Sequence, residues 1–240
     1  ELTIGEHDIK TAPDILQAMQ RSANDGHTGY APVPGTQGLR EIVAAHHQTQ
    51  AQVPTSAENV LITPGAQAAL FAAHLAACDP HDKALYIDPY YTTYPGMLRA
   101  LSLNPVAIAA KASDGFQPNG ASLNAAAQGA ASLLINSPNN PTGVVYGQET
   151  FEIIADTCRE HDLWLISDEV YASQVWSGRH ITPRSLPGMK ERSLIVGSMS
   201  KSHAMTGSRI GWVIGPEDII LFAAYWSALA QLKTPAGAPW

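Results

Sequence analysis

The chain has 240 residues, of which 45% are hydrophobic and 15% charged, a balance that builds a core and excludes a disordered chain. Its formal charge of -7 comes from 21 acidic and 14 basic residues scattered along the sequence, so no basic stripe offers itself to nucleic acid as a partner. The longest apolar runs are strand-sized and Glu1 to Lys10 lacks a basic start and an apolar run, so neither a membrane span nor a secretory signal is expected.

Two helices open the chain, over Pro13 to Ala23 and Gly38 to Gln52. The Gly/Pro-rich stretch Gly26 to Gly38 between them reads as a surface loop or a segment draped over a partner. Short apolar, β-branched runs then predict seven strands: Asn59 to Thr63, Ala84 to Asp88, Pro105 to Ala109, Ser132 to Asn136, Leu163 to Ser167, Ser193 to Ser198 and Gly211 to Gly215. The Ala/Leu-rich Ala66 to Ala77, the amphipathic Glu149 to His161, and a segment from Pro216 to about Leu232 predict helices among and after them. This alternation predicts an α/β fold of three layers, a mostly parallel seven-stranded sheet covered by helices on both faces. Ligands in such sheets gather at the carboxyl ends of the strands. Cys78 and Cys158 are far apart on helix-like segments, which reads as two small buried hydrophobes in a reducing, cytoplasmic setting, with no disulfide and no metal site. The abrupt ends at Glu1 and Trp240 read as truncation.

Four strand ends carry polar chemistry. The first strand runs through Pro64-Gly65-Ala66-Gln67 into a helix, and free N–H groups at such a helix start can bind phosphate, although plain connection chemistry gives the same pattern. The sixth ends in Ser198-Met199-Ser200-Lys201-Ser202 with Arg209 beyond it, so two hydroxyls, an amine and a guanidinium converge. Burial there lowers a lysine's pKa toward nucleophilic use; a solvated loop lysine is the bland alternative. The fifth delivers Asp168-Glu169-Val170-Tyr171, an acid that either meets a cation or caps a helix. The fourth delivers Asn136-Ser137-Pro138-Asn139-Asn140-Pro141-Thr142-Gly143, dense in turn residues, with an Asn-Pro bond open to the cis form.

Together these segments resemble the class I and II aminotransferases, fold-type-I pyridoxal-phosphate enzymes. The matching pieces, in order, are Leu2-Thr3-Ile4-Gly5-Glu6, Gly29-Tyr30-Ala31-Pro32, Gly38-Leu39-Arg40, Thr63 to Gln67, Pro89-Tyr90-Tyr91 with Tyr94-Pro95, Ser137 to Gly143, Ser167 to Tyr171, and Ser198 to Lys201 with Arg209-Ile210-Gly211. The resemblance implies that Lys201 carries pyridoxal 5'-phosphate as a Schiff base and shuttles the substrate's α-proton, and that Asp168 pairs with the ring nitrogen. It implies that Asn140 and Tyr171 bond the phenolate oxygen and that Tyr91 stacks on the ring. The phosphate falls to Gly65, Ala66, Gln67, Ser198, Ser200 and Arg209, with Tyr30 reaching that of a neighbouring subunit. Gly5 and Asn140 would face the substrate. A homodimer with shared active sites is implied, with residues 1–34 as N-terminal segment and dimer-contacting loop, residues 35–240 as the cofactor-binding large domain, and the C-terminal small domain, with its carboxylate-binding arginine, absent. His7, His203 and Ser208 depart from the family pattern without removing a catalytic group.

The implied activity is transfer of an amino group from an L-amino acid to a 2-oxo acid. A β-lyase acting on carbon–sulfur bonds, or a synthase forming a cyclopropane amino acid, would use the same motifs. From other classes come a non-catalytic effector-binding domain of a regulator and a generic doubly wound phosphate-binding domain.

Overall fold

A computed structural model describes residue 5 and residues 8–232, with side chains to residue 225. Glu1, then Leu2, Thr3, Ile4 and Glu6 of the first matching segment, His7 after it, and the end of the chain from residue 233 lie outside the described residues.

The chain begins with α1 (Pro13–Asn24) and α2 (Gln37–Ala51), then β1 (Val60–Thr63) and α3 (Ala66–Ala77). There follow β2 (Lys83–Asp88), α4 (Tyr94–Ala100), β3 (Asn104–Ala109), α5 (Gly120–Ala127), β4 (Ala130–Asn136), α6 (Gln148–Glu160) and β5 (Trp164–Asp168). The series closes with β6 (Ser193–Ser198), α7 (Met199–Ser202), β7 (Gly211–Ile214) and α8 (Glu217–Leu232). The seven strands form one sheet in the order β1-β7-β6-β5-β4-β2-β3. Only β7 runs antiparallel to its neighbours, so the carboxyl ends of the other six point the same way.

Strand residues alternate between two cores because successive side chains leave opposite faces of a strand. Leu134, Ile166, Leu194 and Val196 join α3 and α8 on one face. Leu133, Ile135 and Leu165 join α5 and α6 on the other. The helices follow from composition in the same way. α3 is Ala-rich and largely apolar because it is sandwiched between the sheet and α8. α6 buries Phe151, Ile154, Ala155 and Cys158 along one stripe.

Boundaries differ from the sequence expectation where local hydrogen bonds intervene. β5 spans Trp164–Asp168 rather than Leu163 to Ser167. The Leu163 N–H is taken by the Cys158 carbonyl at the end of α6, and Asp168 pairs with Asn136 in the ladder. α4 and α5 leave little trace in the sequence: α4 has seven residues, too few for a periodic signal, and α5 is announced chiefly by Asn119, whose side chain accepts from Ala121 N–H and Ser122 N–H. The bonds Asn140-Pro141, Ser137-Pro138 and Asp88-Pro89 are cis. Both cysteines are free thiols, and burial pushes them up to about 11 for Cys78 and about 12 for Cys158. Among the described residues, no helix is long and apolar enough to cross a membrane.

One close approach ties the sheet to the strand-end turn. A Cβ built on Gly211 would lie 2.5 Å from the Gly65 carbonyl carbon and 2.8 Å from the Ala66 nitrogen, backbone atoms that cannot swing aside. Gly211→Ala is therefore expected to cost ~1–3 kcal/mol through overpacking, read from the urea-unfolding midpoint at unchanged m-value. A midpoint equal to wild type would show that the β1-to-α3 turn has room to retreat.

Candidate active site

The carboxyl ends of β1, β4, β5 and β6 open onto one cavity of about 720 Å³. Gly5, Ala66, Gln67, Tyr91, Asn140, Asp168, Tyr171, Ser198, Ser200, Lys201 and Arg209 all line it. Gly65 sits directly behind, its missing side chain making room for the Arg209 guanidinium. Tyr30 stands apart, on the outer loop and fully exposed.

Asp168 is the most constrained of these groups. β5 carries it to the middle of the sheet edge, where it is 6% exposed. Its main-chain carbonyl accepts from Asn136 Nδ2 at 2.9 Å and from Ser137 N–H at 3.3 Å, locking β4 to β5. Its carboxyl accepts from the Tyr94 hydroxyl at 2.7 Å and from Val170 N–H at 3.2 Å. Burial raises the pKa from 3.8 to about 6, against the opposing pull of those two donors. Neither donor is a cation, so a cation brought into the cavity would gain the full attraction of an ionised, poorly hydrated acid.

The other end of the cavity is built for an anion. Ser198 caps α7: its Oγ accepts from Ser200 N–H at 3.0 Å, lies 2.8 Å from the Ser200 hydroxyl, and donates to the Ile210 carbonyl at 3.0 Å. Arg209 holds a left-handed conformation (φ 52°) and donates through Nη1 to the Thr206 carbonyl at 2.9 Å. This brings a guanidinium, two hydroxyls and the first N–H groups of α3 to one place. Gln67 is steadied by the Thr93 hydroxyl, which donates to its Oε1 at 2.7 Å.

The same cavity is lined by an amine, that of Lys201, and by the side chains of Asn140 and Tyr171. Lys201, in α7, donates from Nζ to the Gly5 carbonyl at 2.6 Å, across 196 positions of sequence. Asn140 is aimed by its neighbour Asn136, whose Oδ1 accepts the Asn140 N–H at 2.7 Å, and its Nδ2 donates to the Tyr171 hydroxyl at 3.3 Å. Burial, the largest influence, raises the Tyr171 pKa, and the Asn140 contact opposes it. Tyr91 meets Tyr94 edge-on, with ring centroids 5.8 Å apart.

Three residues of the site have no role in the sequence reading. Tyr94 appears there only as part of a motif, yet it is buried and supplies the hydroxyl on Asp168; burial holds its own pKa well above the ordinary range, so it stays a donor. Asn136 likewise aims Asn140 and ties down Asp168. Thr206 lines the cavity and anchors Arg209. The turn-rich segment is a scaffold as well: Asn139 accepts the N–H and hydroxyl of Thr142 on its Oδ1. Among the described residues, no group of three or more His, Cys, Asp or Glu could hold a metal ion.

The chain is similar in sequence and fold to proteins of known kind. The family model "Aminotransferase class I and II" matches residues 1–237. The arginine–pyruvate transaminase of Pseudomonas aeruginosa is 38% identical over 90% of this chain and 55% of its own. The aspartate/prephenate aminotransferase of Thermus thermophilus is 35% identical over 100% of this chain and 62% of its own. A solved structure of aspartate aminotransferase from Thermus thermophilus superposes with a TM-score of 0.92 over 96% of this chain and 60% of that one, at 35% identity. The aromatic aminotransferase of Pyrococcus horikoshii does so at 0.91 and 32% identity, covering 95% of this chain and 62% of that one. The chain thus spans between 55% and 62% of the length of these relatives.

The raised pKa of Asp168 has a consequence for stability. With a folded pKa of about 6 against 3.8, the stabilising state is the protonated one; its contribution is complete below about pH 4 and is lost as pH rises through about 6. In protein prepared without cofactor, Asp168→Asn is therefore expected to match wild type at pH 4 and to exceed it by ~1–3 kcal/mol at pH 8, measured by urea unfolding. Equal stability at pH 8 would mean that the ionised carboxylate is better solvated than its burial implies.

Proposed function

The chain belongs to the class I and II aminotransferase family, and we propose that it is the cofactor-binding part of a pyridoxal-phosphate-dependent aminotransferase acting between an L-amino acid and a 2-oxo acid. The observation that carries this reading is the single cavity whose ends are a buried acid, Asp168, and an anion cup at Arg209, with the amine of Lys201 on its wall. A flat cation-bearing ring with a phosphate arm fits that polarity: the acid, which has no cationic partner among the described residues, suits the ring nitrogen, and the cup suits the phosphate.

When bound, pyridoxal phosphate supplies a carbonyl that condenses with amines and a ring that withdraws electrons from the carbon next to the nitrogen. On this reading Lys201 holds the cofactor through Nζ and afterwards carries the proton taken from the substrate's α-carbon. Asp168 keeps the ring nitrogen protonated, with Tyr94 fixing the direction of its carboxyl. Asn140 and Tyr171 donate to the phenolate oxygen, and Tyr91 covers a ring face. Ala66, Gln67, Ser198, Ser200 and Arg209 grip the phosphate, and Gly65, called on in the sequence for the same role, serves it from behind by leaving room for the Arg209 guanidinium. Gly5 and Asn140 border the substrate.

The exposed Tyr30 belongs, in our proposal, to a homodimer contact in which residues 1–34 lie against a second subunit and Tyr30 completes its phosphate site, while residues 35–240 hold the cofactor. Two free, buried or half-buried thiols support a cytoplasmic setting. The relatives' names, with arginine–pyruvate and aspartate/prephenate among them, support the amino acid and oxo acid class without choosing a member.

The purified protein is expected to develop a visible absorption band with pyridoxal phosphate, and Lys201→Ala to abolish it. Arg209→Ala should weaken cofactor retention by ~1.5–3 kcal/mol, the worth of a charged hydrogen-bond donor, in an equilibrium titration. Absence of the band in the wild-type protein would refute the proposal. Steady release of pyruvate and ammonia from a sulfur amino acid would redirect it to a β-lyase.

A further inference from the structure

Asp168 and Glu169 are consecutive, so their side chains leave opposite faces of the strand end. Asp168 lines the site cavity, whereas Glu169 lines a separate cavity of about 400 Å³ behind it, beside His47. Nothing in the proposed chemistry uses Glu169. Yet it is a buried carboxylate, 8% exposed, and a buried charge without partners is strongly disfavoured.

Its partners form a clasp. Oε1 accepts from the Ser167 hydroxyl at 3.1 Å and from the Thr182 hydroxyl at 2.9 Å, and Oε2 lies 2.8 Å from His180 Nε2. Its N–H donates to the Val196 carbonyl at 2.8 Å, which pins the residue to β6. Ser167 belongs to β5, whereas His180 and Thr182 lie where the chain returns from an excursion over residues 170–181. The return point is anchored in turn, because the Thr182 carbonyl accepts from the Ser185 hydroxyl at 2.7 Å. One carboxylate thus joins the departure and the return of a loop that includes Val170 and Tyr171 on the site cavity and Trp176, 94% exposed, at its tip.

We infer that Glu169 is a positioning residue: by clasping both feet of the 170–181 loop it holds Tyr171, and the Asp168 carboxyl whose Oδ1 the Val170 N–H caps, at the cavity edge. Among the described residues few other ties hold the loop: Ala172 N–H donates to the Glu169 carbonyl, Gln174 N–H to that of Tyr171, Gln174 Nε2 to that of Lys201 at 3.4 Å, and Asn140 Nδ2 to the Tyr171 hydroxyl at 3.3 Å. The outer part, residues 176–179, is exposed and ends at Arg179, so release of the clasp is readable at a single tryptic site followed by His180.

The role in cofactor placement rests on the aminotransferase reading; the clasp does not. Two measurements separate them: the rate of tryptic cleavage after Arg179 in protein without cofactor, and the dissociation constant of pyridoxal phosphate. Glu169→Ala is expected to raise both about tenfold, in line with the loss of a charged hydrogen-bond acceptor. Glu169→Gln should return both to within about threefold of wild type, because the amide oxygen accepts the two hydroxyls and the amide nitrogen stays within reach of His180 Nε2. Should Glu169→Ala fail to fold, Thr182→Val removes one of the three ties and is expected to raise the Arg179 rate about threefold. An unchanged Arg179 rate in whichever of these two variants folds, or a Gln variant as labile as the Ala variant, overturns the clasp. An opened loop with unchanged cofactor affinity overturns the positioning role. A wild-type protein that binds no pyridoxal phosphate sinks the functional reading, while the Arg179 rates still decide the clasp.

Discussion

A carboxylate taken out of water at the end of the central strand is the constraint around which the site is organised. Asp168 is placed there by the ladder on both sides, with β4 and β6 as neighbours of β5, and the three elements have little freedom to move it. Its burial is costly, and the raised pKa expresses that cost in protein without a cationic ligand. The surrounding groups limit the cost without cancelling it: one hydroxyl from Tyr94 and one N–H from Val170, both neutral. An environment of this kind is least comfortable alone and most comfortable with a cation bound, which links folding energetics to ligand capture.

The anion cup illustrates a second economy of design. Arg209 reaches it only because its own backbone adopts a left-handed turn and because Gly65 has no side chain to block it. Gly211 then lies against the Gly65 carbonyl. Guanidinium, turn and strand are therefore interlocked by steric fit, and the position of a charge depends on two absent side chains. The short helix α7 sits beside them, so Lys201 and Ser200 share the same rigid support.

Much of this was readable from residue order. Short β-branched runs bounded by turn residues mark the strands, and because chemistry in such sheets collects at carboxyl ends, Lys201, Asp168, Asn140 and Arg209 could be picked out by where they fall relative to a strand. What escaped reading has a physical reason in each case. Tyr94 opens a seven-residue helix too short for its hydrophobic pattern to repeat recognisably, and its partner is 74 positions away, so only the folded sheet joins them. Asn136 acts through main-chain groups of Asp168 and Asn140, which carry no side-chain signature. The bonds gathered by Glu169 come from Thr182 and His180 on a returning loop, and local sequence says nothing of where a loop returns.

The strand order also has a bearing on how the protein is made. Among the described strands β1 pairs with β7 alone, its Val60 facing Ile214, so β1 finds its strand neighbour only after every other described strand has been synthesised. Until then β1 and the underside of α2 remain an uncovered apolar edge, and loop-closure entropy delays their capture. During translation the nascent protein thus exposes a sticky surface from the synthesis of β1 to that of β7, the condition under which holding chaperones matter most.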